Sequence, residues 1–218
     1  WDEVAAAQAA YGDIFYAYQY LEPRAGERSL LFAYARDIVR GVAEREKPES
    51  ERLLRYAQSR LPAIERGIVT ARPVTPAFEQ IHLELWLSKM REMLTVDHPI
   101  VQRVLGRESP EALAARLAQS RLADPAFRRA LWEGGAAAVA ASDDPMIVFV
   151  RAWDEDARAL RTQYVTTIEG PIARAQERIA RARFQAFGTN LYPDATFSPR
   201  VSYGRDEGWN EGGRVIPS

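Results

Sequence analysis

Residues 182–204 read ARFQAFGTNLYPDATFSPRVSYG, and the fold of the whole chain depends on this stretch. Before residue 188 the sequence carries one amphipathic pattern after another, which is typical of helices. From Gly188 that pattern stops, and a turn around Pro193 leads into residues 196–203, whose composition favours a strand. A lone strand leaves half of its backbone donors and acceptors unpaired. We therefore expect residues 196–203 to join a sheet supplied by other sequence, and the chain to be a piece of a larger protein.

Upstream of this stretch, apolar residues recur at spacings of three and four. This periodicity predicts helices over residues 2–21, 27–46 and 49–70, with a kink or break at Pro62. The joints between these helices are short. We therefore expect the three helices to pack as antiparallel neighbours.

Four further helix starts are marked by a capping side chain directly before a proline, at Thr75-Pro76, Ser109-Pro110, Asp124-Pro125 and Asp144-Pro145. The capping oxygen accepts an orphan backbone N–H, and proline at the first helical position removes an N–H that would lack a partner. The predicted helices cover residues 76–94, 99–105, 110–120, 125–133 and 145–187. We expect Gly134-Gly135 to end the fourth of these and Gly170-Pro171 to kink the last, which would be about 64 Å long.

These patterns predict a mainly α fold, an antiparallel helical bundle with one long C-terminal helix followed by a short β/coil segment. We place a helical domain at residues 1–187 and a connection with a strand at 188–218. With 47% hydrophobic and 27% charged residues, the 218-residue chain has an ordinary globular composition. The net charge of -1 argues against a nucleic-acid or anionic-membrane partner. Cysteine is absent, which excludes disulfides and thiolate metal sites.

The chain has two histidines, His82 and His98. A Ser/His/Asp triad would need one of them beside a serine held by an elbow or a glycine-rich turn. The sequence contains neither a G-x-S-x-G nor a G-x-S-G motif, so we interpret both histidines as structural. An independent hydrolase built on either histidine with nearby carboxylates stays open as an alternative.

Acidic residues cluster at Glu133, Asp143 and Asp144, and again at residues 154–156. The chain has no H-E-x-x-H motif and no alternating Asp/Asn loop closed by a glutamate. We interpret Asp144 as a helix cap and residues 154–156 as a solvated face. We accordingly predict no metal and no cofactor. Paired carboxylates for glycoside hydrolysis stay open, because sequence does not show their separation.

Aromatic residues crowd the first two predicted helices, at positions 11, 15, 16, 18, 20, 32 and 34. Most of them are expected to pack helix against helix. Tyr16 and Tyr20 lie off the predicted core stripe, so they are candidates for a groove that binds a peptide or protein. A free-standing helical binding module that uses this groove is the second functional hypothesis.

Several blocks of the sequence resemble one known family: EREKP at 44–48 with ERL at 51–53, LADP at 122–125 with RRAL at 128–131, ASDDPMI at 141–147 and YPDATF at 192–197. They are similar to the bacterial serine dipeptidyl-peptidases of the dipeptidyl-peptidase 7 and 11 type. The resemblance runs over essentially the whole chain. It implies a chymotrypsin-like double β-barrel with a large helical domain inserted into it.

By this resemblance the chain is the helical cap that covers the active-site cleft and limits it to the N-terminal end of a peptide. The catalytic His and Asp would precede it and the nucleophilic Ser would follow it, so the chain by itself is expected to be inactive. Its implied partners are the peptide substrate and the β-barrel catalytic domain of the same chain, without nucleic acid or membrane, and homodimer formation is left open. Tyr192 and Asp194 join Tyr16 and Tyr20 as substrate-groove candidates. The family location implied is periplasmic or secreted.

Two departures from the family pattern lie near the join to the barrel. Residues 196–200 read TFSPR where the family has T-F-T-L-R, and a proline within a strand indicates an edge or a bulge. Residues 207–209 read EGW where the family has K-G-Y. We expect both changes to affect docking of the cap rather than catalysis.

Overall fold

A computed structural model describes residues 1–188, 204 and 208–216 of the chain, and it is helical through most of the first range. The helices are α1 Asp2–Leu21, α2 Leu30–Arg45, α3 Leu61–Val69, α4 Pro76–Leu94, α5 Pro99–Leu105, α6 Pro110–Leu117, α7 Pro125–Ala141, α8 Pro145–Tyr164 and α9 Gly170–Phe187. Short 3-10 turns occupy Glu49–Glu51, Leu54–Tyr56 and Arg121–Ala123. The predicted mainly α fold class is confirmed. None of the described helices is both long and apolar enough to cross a membrane.

Helix starts follow the predicted capping chemistry at three of the four marked positions. Ser109, Asp124 and Asp144 each accept a hydrogen bond from a backbone N–H in the first turn of the helix that follows. Thr75 occupies the cap position of α4, but its side chain makes no cap hydrogen bond. A proline therefore suffices to start α4, because its fixed φ is already helical.

The single helix predicted over residues 49–70 is wrong in its first half, where the chain forms two 3-10 turns. Side chains there bind the backbone N–H groups that a helix would use. The Gln58 N–H donates to both carboxylate oxygens of Glu49, at 3.1 and 3.0 Å, and the Leu53 N–H donates to Glu44 at 2.7 Å. Helix α3 begins only at Leu61, so Pro62 lies in a first turn and kinks nothing.

Gly134-Gly135 bends a helix that we expected it to end. Gly135 has φ 64° and ψ -154°, outside the helical region, yet helical structure resumes and continues to Ala141. A positive φ of this kind is open to glycine at little cost. The interruption was predicted correctly, and the length of α7 was not.

The long C-terminal helix is confirmed as a run of 43 helical residues, but its irregularity precedes the predicted kink. Between α8 and α9 the residues Val165–Glu169 form a π-helical segment. Pro171 has no N–H to offer the carbonyl one turn earlier, and its ring would press on that carbonyl. A π turn accommodates such a defect without ending the helix. A Cβ at Gly170 would lie 3.0 Å from the Val165 carbonyl oxygen, so any residue other than glycine would require a small shift of the backbone there.

Helix α2 lies at the centre of the packing, against α7, α8 and α3. Helix α1 packs chiefly on α8, α4 and the π segment instead of lying along α2, so the predicted antiparallel packing of the first three helices is wrong for α1. Tyr18 of α1 stacks on Tyr164 with ring centroids 4.1 Å apart, and Tyr11 meets the same ring edge-on. These aromatic contacts draw α1 toward the C-terminal helix.

The chain divides into two compact units, Trp1–Ala175 and Gln176–Ser218. In the second unit, β1 Trp209–Glu211 pairs antiparallel with β2 Arg214–Ile216. Gly212 and Gly213 join them with φ of 57° and 84°, as a tight hairpin with two left-handed residues requires. This hairpin was not predicted from the sequence. The strand predicted at 196–203 lies outside the described residues, and the domain boundary at residue 188 stays a prediction.

Candidate functional site

The two groove candidates on α1, Tyr16 and Tyr20, differ in burial. Tyr20 is only 3% exposed and belongs to the hydrophobic core, and its carbonyl oxygen accepts a 2.9 Å hydrogen bond from Trp86 Nε1. Its placement off the core stripe is therefore wrong. Tyr16 is 46% exposed and edge-on to Phe15 at the surface of α1. Tyr192 and Asp194 lie outside the described residues, so their role as groove residues stays a prediction.

A separate cleft of about 300 Å³ opens where α2, α8 and the second 3-10 turn meet, beside the end of α1. It is lined by Glu22, Pro23, Arg36, Arg40, Leu53, Arg55, Tyr56 and Arg161. Half of these residues are arginines, and Glu22 is the one carboxylate among the lining residues, although Asp154 and Asp37 bind Arg40 and Arg55 from beside the cleft. The cleft therefore carries more positive than negative charge, although the net charge of the chain is -1.

The floor of the cleft is a buried ion pair network centred on Arg40. Its Nη2 donates to the Glu22 carboxylate at 2.6 Å, and its Nε donates to the Asp154 carboxylate. Burial acts to lower the pKa of Arg40, but the hydrogen bonds and charges of the two carboxylates together raise that pKa above its usual value. Arg40 therefore remains charged, and the two acidic groups hold its guanidinium plane in one orientation.

The network continues behind the cleft. Arg158 donates to Asp154 at 2.7 Å and to Glu44 at 2.6 Å, and Lys47 donates to Glu44 at 2.7 Å. Burial of the Glu44 carboxyl acts to raise its pKa, but hydrogen bonds from Lys47, the Leu53 N–H and Arg158 lower it overall. Asp154 is 6% exposed, so its interpretation as part of a solvated face was wrong.

Arg36 lines the cleft without a carboxylate of its own. Its Nη1 donates to the Glu22 carbonyl oxygen at 3.1 Å, and its guanidinium lies over the Phe32 ring at 5.6 Å. No ion pair of Arg36 occurs in the part of the chain that the structure describes. Burial, followed by the repulsion from Arg40, lowers the pKa of Arg36. A neighbouring negative charge would relieve this unfavourable environment.

The rim of the cleft carries two more arginines. Arg55 forms a two-pronged contact with Asp37, at 3.0 and 2.7 Å, and the Tyr56 hydroxyl donates to the same carboxylate at 3.2 Å. Burial of the Tyr56 phenol raises its pKa, so the hydroxyl stays protonated and can donate. Arg161 reaches Glu22 across the cleft at 3.4 Å. The cleft thus offers hydrogen-bond donors and positive charge, which is the chemistry of anion binding rather than of nucleophilic attack.

Neither histidine belongs to this cleft. His98 precedes α5, and its Nδ1 accepts a 3.2 Å hydrogen bond from the Ile100 N–H, which is a capping role. His82 is half-buried on α4. Over residues 1–188 neither imidazole is hydrogen-bonded to a carboxylate. The geometry of a Ser/His/Asp triad is not assembled in that range.

The acidic residues that were weighed as metal ligands are also dispersed. Asp144 is buried and accepts from the Ser120 hydroxyl and from three backbone N–H groups, those of Arg121, Met146 and Ile147. Asp143 is exposed and paired with Arg121. Among the described residues no group of three or more potential ligands could hold a metal ion. Asp144 accordingly has the capping role that its position before a proline predicts.

The signal for the arginine cleft was weak in the sequence. Arg36 and Arg40 are four residues apart and so share one face of α2, inside a pattern that otherwise reads as core. Their partners Glu22 and Asp154 are remote in the chain. Sequence reasoning therefore missed the cleft, although the two arginines on a buried helix face were visible.

Comparison with known families places this helical chain among the peptidases. The family model for Peptidase S46 matches residues 1–217. The chain belongs to the peptidase S46 family, which is that of the dipeptidyl-peptidases 7 and 11, and the resemblance seen in the sequence is confirmed. Membership in this family supports classification of the protein with the serine proteases, as a hydrolase of the dipeptidyl-peptidase type.

Proposed function

We propose that this chain is the substrate-access cap domain of a serine dipeptidyl aminopeptidase that releases dipeptides from the N-termini of peptides. The observation that carries the proposal is the match of a serine peptidase family to residues 1–217, in a chain whose described part assembles no triad. A domain that shapes the substrate cleft of a peptidase, without carrying the catalytic residues, is expected to match the family and to contain no triad. The enzyme is proposed to act in the periplasm or after secretion.

In this proposal the chemistry belongs to a β-barrel domain of the same enzyme. Its serine attacks the carbonyl of the second peptide bond, its histidine takes the serine proton and later gives a proton to the leaving amine, and its aspartate orients the histidine. The cap contributes by closing one end of the substrate cleft. Only the first two residues of a peptide then fit beyond the scissile bond.

The surface of α9 supports docking onto a further domain. Of its residues only Ala175 is buried, while Phe184 and Phe187 are 62% and 57% exposed within the described residues. Helices in proteins gain most of their stability from packing an apolar face. Two exposed phenylalanines one turn apart, near the end that leads to the predicted connection, therefore suit a face that packs against barrel sequence.

The test compares the 218-residue chain by itself with the full-length enzyme from the same gene, on fluorogenic dipeptidyl substrates. We expect hydrolysis by the full-length enzyme and none by the chain alone. A reading frame that extends upstream to a signal peptide and downstream to a G-N-S-G turn would agree with this proposal. Hydrolysis by the chain alone, abolished by His82→Ala or His98→Ala in a folded variant, would instead establish an independent hydrolase.

A free-standing peptide-binding module is the second candidate function, and the exposed Phe15 and Tyr16 pair on α1 favours it. Exposed aromatic side chains are common anchors of peptide recognition. If the chain alone binds peptides, binding should weaken in Tyr16→Ala. A reading frame that ends without any barrel sequence would then support this function over the cap.

A further inference from the structure

The arginine cleft described above has no part in the proposed peptidase chemistry. We propose that it is a binding site for a small oxyanion with two negative charges, of the phosphate type, held between the guanidinium groups of Arg36, Arg55 and Arg161. The inference does not depend on the cap function, because it concerns the chemistry of the cleft itself.

The charges around the cleft are out of balance in favour of an anion. The arginines that line it and the groups joined to them through ion pairs comprise six cations and four carboxylates among the described residues. The cations are Arg36, Arg40, Arg55, Arg158, Arg161 and Lys47, and the carboxylates are Glu22, Asp37, Glu44 and Asp154. Two positive charges are thus left uncompensated. A dianion would neutralise this surplus, whereas a single carboxylate would leave one charge.

Arg36 is the best-placed donor. Among the described residues its side chain makes one hydrogen bond, to the Glu22 carbonyl oxygen, which leaves most of its five N–H groups available. The guanidinium is half-buried and near Arg40, and both conditions lower its pKa. A half-buried cation without an ion-pair partner is costly unless an anion accompanies it. A bound oxyanion would supply that missing charge and accept the free N–H groups.

Arg55 and Arg161 are positioned to complete the site. Their side chains are 58% and 42% exposed. Arg55 binds Asp37 through Nε and Nη2, and Arg161 reaches Glu22 through Nη1, so each guanidinium keeps a further nitrogen that can donate to an anion. The planar fork of a guanidinium matches two phosphate oxygens at once. A volume of about 300 Å³ is at the lower end of small-molecule sites and suits a phosphate with a small attached group.

The experiment is a calorimetric titration of the chain at constant ionic strength and about pH 8, where a phosphate monoester with a second pKa of about 6 is a dianion. Inorganic phosphate and glycerol phosphate are the two probes, and acetate is the single-charge comparison. We expect saturable binding at one site for at least one phosphate probe and at least tenfold weaker binding of acetate. Tighter binding of glycerol phosphate would identify a monoester as the ligand, and equal or weaker binding would identify free phosphate.

Variants locate the site. Arg36→Gln should weaken phosphate binding at least tenfold. Arg161→Gln, at an exposed position, should weaken phosphate binding several-fold, and it tests the site independently if the Arg36 variant fails to fold. Arg116→Gln is the matched control, because Arg116 is a half-exposed arginine that pairs with Glu108 and does not line the cleft. Unchanged phosphate affinity in Arg161→Gln, or in a folded Arg36→Gln, would overturn the proposal. So would the absence of saturable phosphate binding, or acetate binding as tight as that of phosphate.

Discussion

Arg40 on α2 and Asp154 on α8 are 114 positions apart in the chain, yet the guanidinium Nε of Arg40 donates directly to the Asp154 carboxylate in the interior. Glu22 holds the other side of the same guanidinium. This pairing ties the central helix to the long C-terminal helix, and it forms the floor of the arginine cleft.

Removal of Arg40 should destabilise the fold strongly. Arg40→Met leaves Glu22 and Asp154 buried without their shared cation, and we expect a loss of about 3–5 kcal/mol in the free energy of unfolding. Urea denaturation measures this loss. Arg116→Met, at a half-exposed position, should change stability by less than about 0.5 kcal/mol. The double variant Arg40→Met with Asp154→Leu should lose less free energy of unfolding than the two single variants lose together, because the two side chains interact. Simple additivity of the two losses would contradict the pairing.

Arg128 should be irreplaceable by lysine. It is fully buried, lies 4.0 Å from the Tyr34 ring centroid, and donates to the carbonyl oxygens of Ile68, Thr70, Leu122 and Ala123. An ammonium group cannot reach four separated carbonyls, so Arg128→Lys should cost about 2–4 kcal/mol. Its exposed neighbour Arg129 gives the matched control, and Arg129→Lys should be nearly neutral. Similar unfolding midpoints for the two variants would refute this role.

Two glycines should respond oppositely to alanine. A Cβ at Gly41 in α2 would lie 2.5 Å from the Trp132 ring, whereas a Cβ at Gly12 in α1 would meet nothing within 4 Å. We expect Gly41→Ala to destabilise by about 1–3 kcal/mol through overpacking. We expect Gly12→Ala to stabilise the folded protein by about 0.5–1 kcal/mol, because alanine has a higher helix propensity than glycine in a helix interior. Thermal or urea unfolding of both variants checks the difference in sign.

Glu44 should contribute to acid sensitivity. Its pKa in the folded protein lies below the ordinary value of 4.5, despite burial, because Lys47, the Leu53 N–H and Arg158 bind the ionised form. The stabilisation is therefore present above about pH 4.5 and is lost as the pH falls through the lowered folded pKa. Glu44→Gln should lower stability at neutral pH and flatten its decline below pH 4.5. Equal slopes of unfolding free energy against pH in the two proteins would contradict this assignment.

Much of the helical framework could be predicted, and the reason is local. The bounds of α1, α4 and α5 agree with the periodicity and the proline starts, because caps and amphipathic faces act within a few residues. The prediction failed at residues 49–60, where the Glu44 and Glu49 carboxylates bind the backbone N–H groups of Leu53 and Gln58. It also underestimated how far a helix can continue past an irregularity, as α7 does at Gly135.

The candidate site could be predicted far less well. Tyr20 carries the same local pattern as an exposed groove residue, and only the packing of Trp86 against it shows that it is core. Asp154 stands in an acidic run that is typical of a solvated surface, but it is buried in ion pairs with Arg40, which is remote in the chain, and with Arg158, one helical turn away. The exposure of a polar side chain depends on its neighbours in space, which local patterns do not report.

The sequence by itself determined that the chain is mainly helical, where most helices begin, and that it belongs with the dipeptidyl-peptidases 7 and 11. Helix caps, apolar periodicity and family motifs are all properties of short stretches. Only the tertiary structure decided which charges are buried and which face a cleft. Arg36, Arg40 and Arg161 become one cationic surface because α2 and α8 pack side by side, and the free energy of a charge depends on what surrounds it.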